Sequence, residues 1–390
     1  MELSRKIRHL TGEAGDGWTL FYKARRMMDD GVAVADLTIG EHDVRTDASI
    51  LDQMLASARS GNTGYAPVPG VRSLRETVAR RVQERTGVPT GKDNILITPG
   101  GQSALFAAHV AVCDEGDRAL FCDPYYATYP GTIRGAGAEA VRVELDPENA
   151  FQPRAADILP VADRARSLLI NTPNNPTGVV YSRSTLEEIA GICLEKDIWL
   201  ISDEVYDTQI WTGEHVSPRS LPGMAERTLV VGSMSKSHAM TGSRVGWLIG
   251  PEAAISHLIN LATHTTYGVP GYIQDAARFA LDAGPELEEK IAAPFRRRRQ
   301  IASKIISGQN LVKMVPADGA MYVMLDIRGT GLSGERFADA LLDRHAIAVM
   351  PGESFGRAAA GHVRVAMTLA DDDFAHAFET LVGFAGQLAA

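Results

Sequence analysis

Short hydrophobic runs alternate with amphipathic stretches along the middle of the chain. Between most of the runs, apolar residues recur with helical spacing, as in Ser103–Val112 and in Ser184–Lys196, where Ser184 is the predicted N-cap. This alternation predicts an α/β domain with a mostly parallel seven-stranded sheet flanked by helices. The runs that predict buried strands are Ile95–Thr98, Ala119–Asp123, Val141–Glu144, Leu168–Asn171, Trp199–Asp203, Leu229–Ser233 and Val245–Ile249.

The pattern changes after about residue 280, where a long charged stretch from Pro285 to Ile306 predicts a helix. Near the N-terminus, Val34–Thr38 is a strand candidate with no partner nearby in sequence. We therefore predict a large domain of residues 41–281 and a smaller α+β domain made of residues 1–40 and 282–390. The remaining C-terminal predictions are strands at Met321–Ile327 and His362–Thr368 and a helix near Glu335–His345.

The length of the chain indicates the number of domains, and its charge argues against one class of partner. A chain of 390 residues with 45% hydrophobic content favours two domains. Lys and Arg number 39 against 48 Asp and Glu, and the net charge of -9 argues against a nucleic-acid partner. The one basic run, Arg296–Arg299, is interpreted as a solvated helix face.

Cysteine usage and the N-terminus predict a cytoplasmic protein. The cysteines Cys113, Cys122 and Cys193 are an odd number, lack metal-ligand spacing and have apolar neighbours, so we expect buried thiols and no metal site. The N-terminal segment lacks the apolar core of a signal peptide. The chain also has no apolar run of about 18 residues, so we expect no membrane partner.

Five of the predicted strands end in segments rich in Gly, Tyr, Asn, Asp, Ser and Lys. These segments begin at Pro99, Asp123, Asn171, Asp203 and Gly232. Open α/β sheets bind ligands beyond the carboxyl ends of their strands, so the sequence predicts one shared site at this edge.

A candidate phosphate seat lies among these segments. Gly100 and Gly101 enter a helix directly after a strand, which presents backbone N–H groups at a positive helix end. A plain tight turn is the alternative for a glycine pair. Ser233, Ser235 and Arg244 offer hydroxyl donors and a guanidinium fork for the same anion.

Two other glycine-rich segments are better interpreted as ordinary loops. Gly87–Asp93 has one residue too few between its glycines for a P-loop, and Gly135–Ala140 precedes a strand instead of following one.

Several motifs, in this order, resemble the class I/II aminotransferases of pyridoxal-phosphate (PLP) fold type I. The resemblance covers roughly residues 35 to 370, and its specificity lies in the ordered set. The matching segments are Tyr65–Gly70, Gly100–Ala104, Asn171–Gly178, Ser202–Tyr206, Ser233–Ser237, Gly242–Trp247 and Arg364.

The resemblance implies PLP as cofactor, bound as a Schiff base by Lys236, which also moves the proton. It implies that Asp203 pairs with the pyridine nitrogen and that Tyr206 and Asn175 donate to the phenolic oxygen. Of the two tyrosines after the second strand, Tyr125 is the one expected to stack on the ring. The catalytic amine must be neutral, and an unperturbed pKa of about 10.4 therefore has to be lowered by burial and by the nearby Arg244.

Further roles follow from the same resemblance. Arg364 would clamp the substrate α-carboxylate, helped by Asn175 and the backbone near Gly40, with a buried structural arginine as the alternative. Tyr65 would reach the cofactor from the neighbouring subunit, which implies a homodimer. The phosphate would be held by Gly100, Gly101, Gln102, Ser233, Ser235 and Arg244.

The implied function is an aminotransferase that moves an amino group from an L-amino acid to a 2-oxo acid. A PLP-dependent β-lyase or carbon-sulfur lyase is the alternative, because substrate orientation decides which Cα bond breaks. A non-catalytic PLP-binding regulatory module is disfavoured, since only about 35 residues precede the first core strand. His42 stands where the family often has proline, so it either contacts substrate or caps the loop. No arginine is marked by its context as a clamp for a second carboxylate, which leaves the amino donor open.

Overall fold

The computed structural model describes residues 1–11 and 18–389. Within these ranges no helix is both long enough and apolar enough to cross a membrane. The helices are α1 (Arg5–Arg8), α2 (Thr19–Asp29), α3 (Ala48–Arg59), α4 (Arg72–Thr86), α5 (Gly101–Val112), α6 (Tyr129–Ala136), α7 (Ala155–Ala162), α8 (Arg183–Glu195), α9 (Met234–Ser237), α10 (Glu252–Thr263), α11 (Gly271–Asp282), α12 (Pro285–Ser307), α13 (Gly334–His345) and α14 (Asp371–Ala389). The strands are β1 (Ala35–Asp36), β2 (Ile95–Thr98), β3 (Arg118–Asp123), β4 (Glu139–Glu144), β5 (Ala165–Asn171), β6 (Trp199–Asp203), β7 (Thr228–Ser233), β8 (Gly246–Ile249), β9 (Lys313–Met314), β10 (Tyr322–Asp326), β11 (Ile347–Ala348), β12 (Met350–Pro351) and β13 (His362–Ala366).

The large sheet contains all seven strands predicted from the hydrophobic runs. Its order is β2-β8-β7-β6-β5-β3-β4, and only β8 runs antiparallel to its neighbours. Both faces are covered, because Leu200 packs with Ile189 of α8 in one core cluster while the next residue, Ile201, packs with Ala104 of α5 in another. A sheet buried on both faces explains why the inner strands are continuous hydrophobic runs, whereas the edge strand β4 alternates apolar and charged residues and is partly exposed. The predicted mostly parallel sheet is confirmed.

The second layer is an antiparallel sheet of order β12-β13-β10-β9. The isolated strand candidate near Val34 has a distant partner, since β1 pairs in parallel with β11 at Ala35↔Ile347. A separate core cluster forms here, with Leu37, Phe337 and Phe378 fully buried. This is the expected α+β region, and the boundaries at residues 40 and 281 stay predictions.

The start of α8 differs from the prediction. The N-cap is Ser182, two residues earlier than Ser184, and its hydroxyl accepts the backbone N–H of Thr185 at 3.1 Å. Ser184 lies in the first turn, with its hydroxyl 2.9 Å from that of Ser182. Two serines two residues apart both fit a capping pattern, and only the backbone shows which one precedes the helix.

The basic run on α12 is not the uniformly solvated face that the sequence suggested. Arg298 is buried, with only 3% of its side chain exposed. Its guanidinium forms a bidentate pair with Asp43 at 2.9 and 2.6 Å, and its Nε donates to Asp371 at 2.9 Å. Of the four arginines, Arg298 therefore points inward, because its side of α12 packs against α14 and the segment after β1.

We expect Arg298→Ala to lower the free energy of unfolding by about 3 kcal/mol or more, since it leaves two carboxylates without their shared buried cation. The matched control is Arg297→Ala. Arg297 also pairs with Asp371, at 2.7 Å, but is 55% exposed, so its loss costs less than about 1 kcal/mol. Urea-induced unfolding measures both, and equal losses in the two variants would contradict the assignment.

Candidate active site

A cavity of about 250 Å³ opens at the carboxyl ends of β5, β6 and β7 and is closed on the other side by β10 and β13. The large sheet and the small sheet thus each supply one wall. Eleven residues expected at the site line this cavity. They are Gly40, Gly101, Gln102, Asn175, Asp203, Tyr206, Ser233, Ser235, Lys236, Arg244 and Arg364.

The amine of Lys236 lies inside the cavity. Its Nζ donates to the backbone carbonyl of Gly40 at 2.5 Å. Burial lowers the pKa of Lys236, and the cations of Arg364 and Arg244 act in the same direction, while Tyr322 and Glu41 oppose them. The predicted lowering is present, with burial as its main cause and Arg364 ahead of Arg244 among the cations.

Among the described residues that line the cavity, Asp203 is the only acidic one. Burial raises the pKa of its carboxyl group to about 6. The hydroxyl of Tyr129 donates to Oδ2 at 2.6 Å, and the backbone N–H of Val205 reaches Oδ1 at 3.4 Å. These neutral donors hold the carboxylate at the end of β6 and oppose the effect of burial on its pKa.

The seat for an anion is built where β2 enters α5. Gly100 has φ +79°, and a Cβ there would overlap the guanidinium of Arg244. The missing side chain therefore lets Arg244 lie against the start of α5, where the first backbone N–H groups have no intrahelical acceptor. Gly100 borders the cavity through this turn, while Gly101 lines it directly.

The side chain of Gln102 is already engaged. Its Nε2 donates to Thr132 at 2.7 Å and its Oε1 accepts from Thr128 at 2.9 Å. As the second residue of α5, Gln102 also has a backbone N–H without an intrahelical acceptor. Its side chain ties α5 to α6.

Two hydroxyls complete the seat. Ser233 caps α9, since its Oγ accepts the backbone N–H of Ser235 at 3.0 Å, and the two hydroxyls lie 2.9 Å apart. Both serines and Arg244 line the same cavity as the start of α5. This arrangement brings hydroxyl, amide and guanidinium donors together, which suits a phosphate group.

Arg364 lies opposite this seat and is fully buried. Its Nη1 donates to Asn175 Oδ1 at 2.8 Å, and Nη2 donates to the carbonyl of Thr38. The guanidinium is sandwiched between the rings of Tyr322 and Phe355, 4.3 Å from each centroid. Its Nε has no hydrogen-bond partner among the described residues. The arginine is therefore held by neutral groups in the cavity wall, with an unused donor.

Tyr322, which was missed in the sequence, and the predicted Tyr206 lie between these groups. The hydroxyl of Tyr206 donates to that of Tyr322 at 3.2 Å. A Cβ at residue 40 would overlap the hydroxyl of Tyr322, so Gly40 is needed for this close approach. Tyr322 lies on β10, and nothing in its strand-like context marks it as a site residue.

The choice of Tyr125 over Tyr126 disagrees with the structure. Tyr126 lines the cavity, whereas Tyr125 packs edge-on against Phe121 with ring centroids 4.9 Å apart. The backbone N–H of Tyr125 bonds to Phe355, which fixes the loop so that the following residue faces the cavity. Adjacent tyrosines point to opposite sides, and the sequence does not reveal which side is inward.

Tyr65 lies outside the cavity. It is 91% exposed and packs edge-on against Tyr267, with ring centroids 5.2 Å apart. This exposure leaves it free to contact another molecule.

His42 does not line the cavity. Its Nε2 lies 2.9 Å from the backbone carbonyl of Lys236, and its ring packs against Phe295. Burial lowers its pKa to about 4. His42 is thus a neutral group that supports the lysine backbone from behind.

A second cavity of about 360 Å³ lies behind the first and is larger. Its charges are satisfied within the wall, because Arg81 pairs with Glu288 and Arg85 with Asp207. The smaller cavity is the better candidate, since Lys236, Asp203 and Arg364 line it and, among the described residues, form no ion pair.

Comparison with known proteins agrees with this geometry. Residues 32–381 match the family model described as aminotransferase class I and II. The chain is 40% identical over 390 residues to the arginine–pyruvate transaminase of Pseudomonas aeruginosa, covering 100% of this chain and 99% of that relative. It is 34% identical over 370 residues to the aspartate/prephenate aminotransferase of Thermus thermophilus, covering 94% of each.

Solved structures show the same fold. The aspartate aminotransferase of Thermus thermophilus with maleate superposes with TM-score 0.90 at 32% identity, covering 97% of this chain and 98% of that one. The aromatic aminotransferase of Pyrococcus horikoshii superposes with TM-score 0.88 at 31% identity, covering 93% and 99%. The chain therefore has the aspartate aminotransferase fold and belongs to the class I and II aminotransferases.

Proposed function

We propose that this aminotransferase uses pyridoxal phosphate held by Lys236, takes an amino group from an amino acid without a side-chain carboxylate, and gives it to pyruvate. The observation that carries the proposal is the buried Lys236 amine, which opens into a cavity between an anion seat and the guanidinium of Arg364.

The residues present fit pyridoxal phosphate. The turn at Gly100, the two hydroxyls and Arg244 offer a phosphate seat. The buried carboxylate of Asp203 suits a protonated ring nitrogen. When bound, the cofactor accepts the electron pair released at the substrate Cα.

Side chains of the protein would carry out the other steps. Lys236 Nζ, whose pKa burial lowers, would take the proton from the substrate Cα and return one to the cofactor carbon. Asp203 would hold a proton on the ring nitrogen. Tyr206 and the NH₂ group of Asn175 would donate to the ring oxygen, since Asn175 uses its own oxygen to accept from Arg364. Tyr126, in the cavity wall, would stack on the ring.

Among the described residues that line the cavity, Arg364 is the permanent cation that remains to bind substrate. Arg244 serves the phosphate seat and Lys236 the chemistry, so Arg364 alone would bind a carboxylate. Tyr65 would come from the second subunit of a homodimer. Residues 60–71 around it and residues 245–277, which include its partner Tyr267, contain no Lys or Arg. These segments would therefore bring no second clamp, and this favours substrates with a single carboxylate.

The identity of the donor follows the same reasoning. A relative 40% identical along the whole chain is named an arginine–pyruvate transaminase. Arginine and pyruvate each carry one carboxylate, which matches the single arginine. We therefore propose a basic amino acid as donor, ahead of aspartate.

The proposal includes a cytoplasmic location. Cys113, Cys122 and Cys193 are buried and free. Burial raises the pKa of the Cys122 and Cys193 thiols to about 12, so they are unreactive structural thiols, as expected in a reducing compartment.

Mixing the cofactor-loaded enzyme with one amino acid and no 2-oxo acid tests the function. We expect stoichiometric loss of the cofactor's visible absorption band with formation of the 2-oxo acid. Lys236→Ala should abolish this conversion, and the exposed Lys196→Ala should not. Release of ammonia with the visible band restored would instead indicate a lyase.

Asp203→Asn should lower turnover about hundredfold or more, because the amide cannot hold the ring nitrogen protonated. The same change should stabilise the cofactor-free protein by roughly 1–3 kcal/mol at pH 8. The folded carboxyl group titrates near pH 6 and the unfolded one near pH 4, so the cost of the buried charge grows as pH rises through this range and is complete above it.

Urea unfolding of the cofactor-free proteins at pH 5 and pH 8 measures this gain, which should be larger at pH 8. A variant less stable than wild type at pH 8 would contradict the assigned burial cost of Asp203.

Pyruvate should be a better acceptor than 2-oxoglutarate by at least about tenfold in kcat/KM, since a second carboxylate would be buried without a cation. Arginine should likewise exceed aspartate as donor. Steady-state assays over both pairs measure these ratios. Equal efficiency with the dicarboxylates would show that a second cation serves the site.

A further inference from the structure

Asp123, the last residue of β3, is fully buried and contacts the opposite wall of the active site. Its Oδ2 accepts the backbone N–H of Arg357 at 3.0 Å, and its Oδ1 accepts that of Ala358 at 3.2 Å. Gly356 has φ +120°, and a Cβ there would overlap the carboxylate. We name this contact between Asp123 and residues 356–358 the clasp.

The clasp joins the two sheets. Asp123 ends a strand of the seven-stranded sheet, whereas residues 356–358 follow β12 of the four-stranded sheet. Close beside it, the backbone N–H of Tyr125 donates to the carbonyl of Phe355 at 2.9 Å. Three hydrogen bonds therefore hold the loop after β3 to the turn after β12.

Each end of the clasp leads directly to a wall of the cavity. Three residues beyond Asp123, Tyr126 faces the cavity. On the other side, Phe355 directly precedes Gly356, and its ring covers one face of the Arg364 guanidinium at 4.3 Å. β12 also pairs with β13 at Met350↔Arg364, so the strand leading into the clasp is the neighbour of Arg364.

We propose that Asp123 is a positioning residue that sets the Arg364 guanidinium at its working distance from the cofactor wall. Arg364 has only two side-chain hydrogen bonds and depends on the stacked rings for its orientation. If the turn carrying Phe355 moves away from β3, the guanidinium loses one of its two flanking rings. A bidentate bond to a carboxylate is sensitive to such a shift.

Electrostatics agrees with a carboxylate at this position. Two backbone donors favour the ionised form, and burial still raises the pKa of Asp123 to about 6. The group is thus ionised at pH 7.5. An asparagine would turn an NH₂ group toward a backbone N–H and lose one of the two hydrogen bonds.

The test is the kinetics of Asp123→Asn at pH 7.5 with the cofactor-loaded enzyme. We expect KM for both the amino acid and the 2-oxo acid to rise about tenfold, with kcat within threefold and cofactor affinity unchanged. Gly356→Ala perturbs the clasp from the other side and should give the same signature. It also serves as the test if Asp123→Asn does not fold.

The matched control is Asp157→Asn. This removes a carboxylate that is 11% exposed and pairs with Arg154 at 3.0 Å, away from the cavity, so both KM values should be unchanged. KM values within threefold of wild type in the clasp variants would overturn the proposal. So would a loss of cofactor affinity that matches the rise in KM.

The inference rests on the proposed role of Arg364. The KM values of the variants distinguish a failure of that role from a failure of the clasp. Arg364→Lys should raise KM strongly, because lysine cannot form the fork. An unaltered KM in that variant would remove the role of Arg364 itself. A raised KM there, with unaltered KM in both clasp variants, would reject only the clasp.

Discussion

The site depends on three ionisable side chains in the cavity that are held by neutral groups. Within residues 1–11 and 18–389, no ion pair involves Lys236, Asp203 or Arg364; each is held by hydrogen bonds to neutral groups. Such burial is costly, because dipoles replace only part of the lost hydration. Among the described residues, these side chains therefore lack partners of opposite charge when the cavity is empty. Ligands that carry a phosphate, a ring N–H and a carboxylate would supply partners.

The fold explains how the cost is met. The charged groups stand at the ends of strands, whose other residues are buried in continuous apolar clusters on both faces of the large sheet. Burial of apolar side chains within the sheet stabilises the fold, whereas the destabilising burial of charged groups is confined to the ends of the strands. The perturbed pKa values of Lys236 and Asp203, one lowered and one raised, follow from the same placement.

Much of the fold and the location of the site could be predicted from the sequence, and the wrong predictions about single side chains have physical causes. Runs without polar interruption identify the doubly buried strands, and the short alternating run Val141–Glu144 identifies the edge strand β4, so all seven large-sheet strands were found. Strand ends then located the shared site. The direction of a single side chain was not encoded locally: Tyr126 rather than Tyr125 faces the cavity, and Arg298 turns inward from a basic run. Tyr129 and Tyr322 act through partners more than 70 residues away, Asp203 and Tyr206, so only the folded chain reveals them.

Because the two walls of the cavity come from different sheets, their relative placement is itself a requirement for catalysis. The contacts between them are specific: the hydroxyl of Tyr322 sits against Gly40, and the carboxylate of Asp123 sits against Gly356. Both glycines remove a Cβ that would separate the walls. If the anion seat on one wall and the guanidinium on the other bind a cofactor phosphate and a substrate carboxylate, the gap between the walls would have to be held to within about half an ångström. The two glycines and the buried carboxylate at this junction would therefore set the same distance as the groups that bind substrate; of the three, Gly40 also contacts the reactive amine, because its carbonyl accepts from Lys236 Nζ.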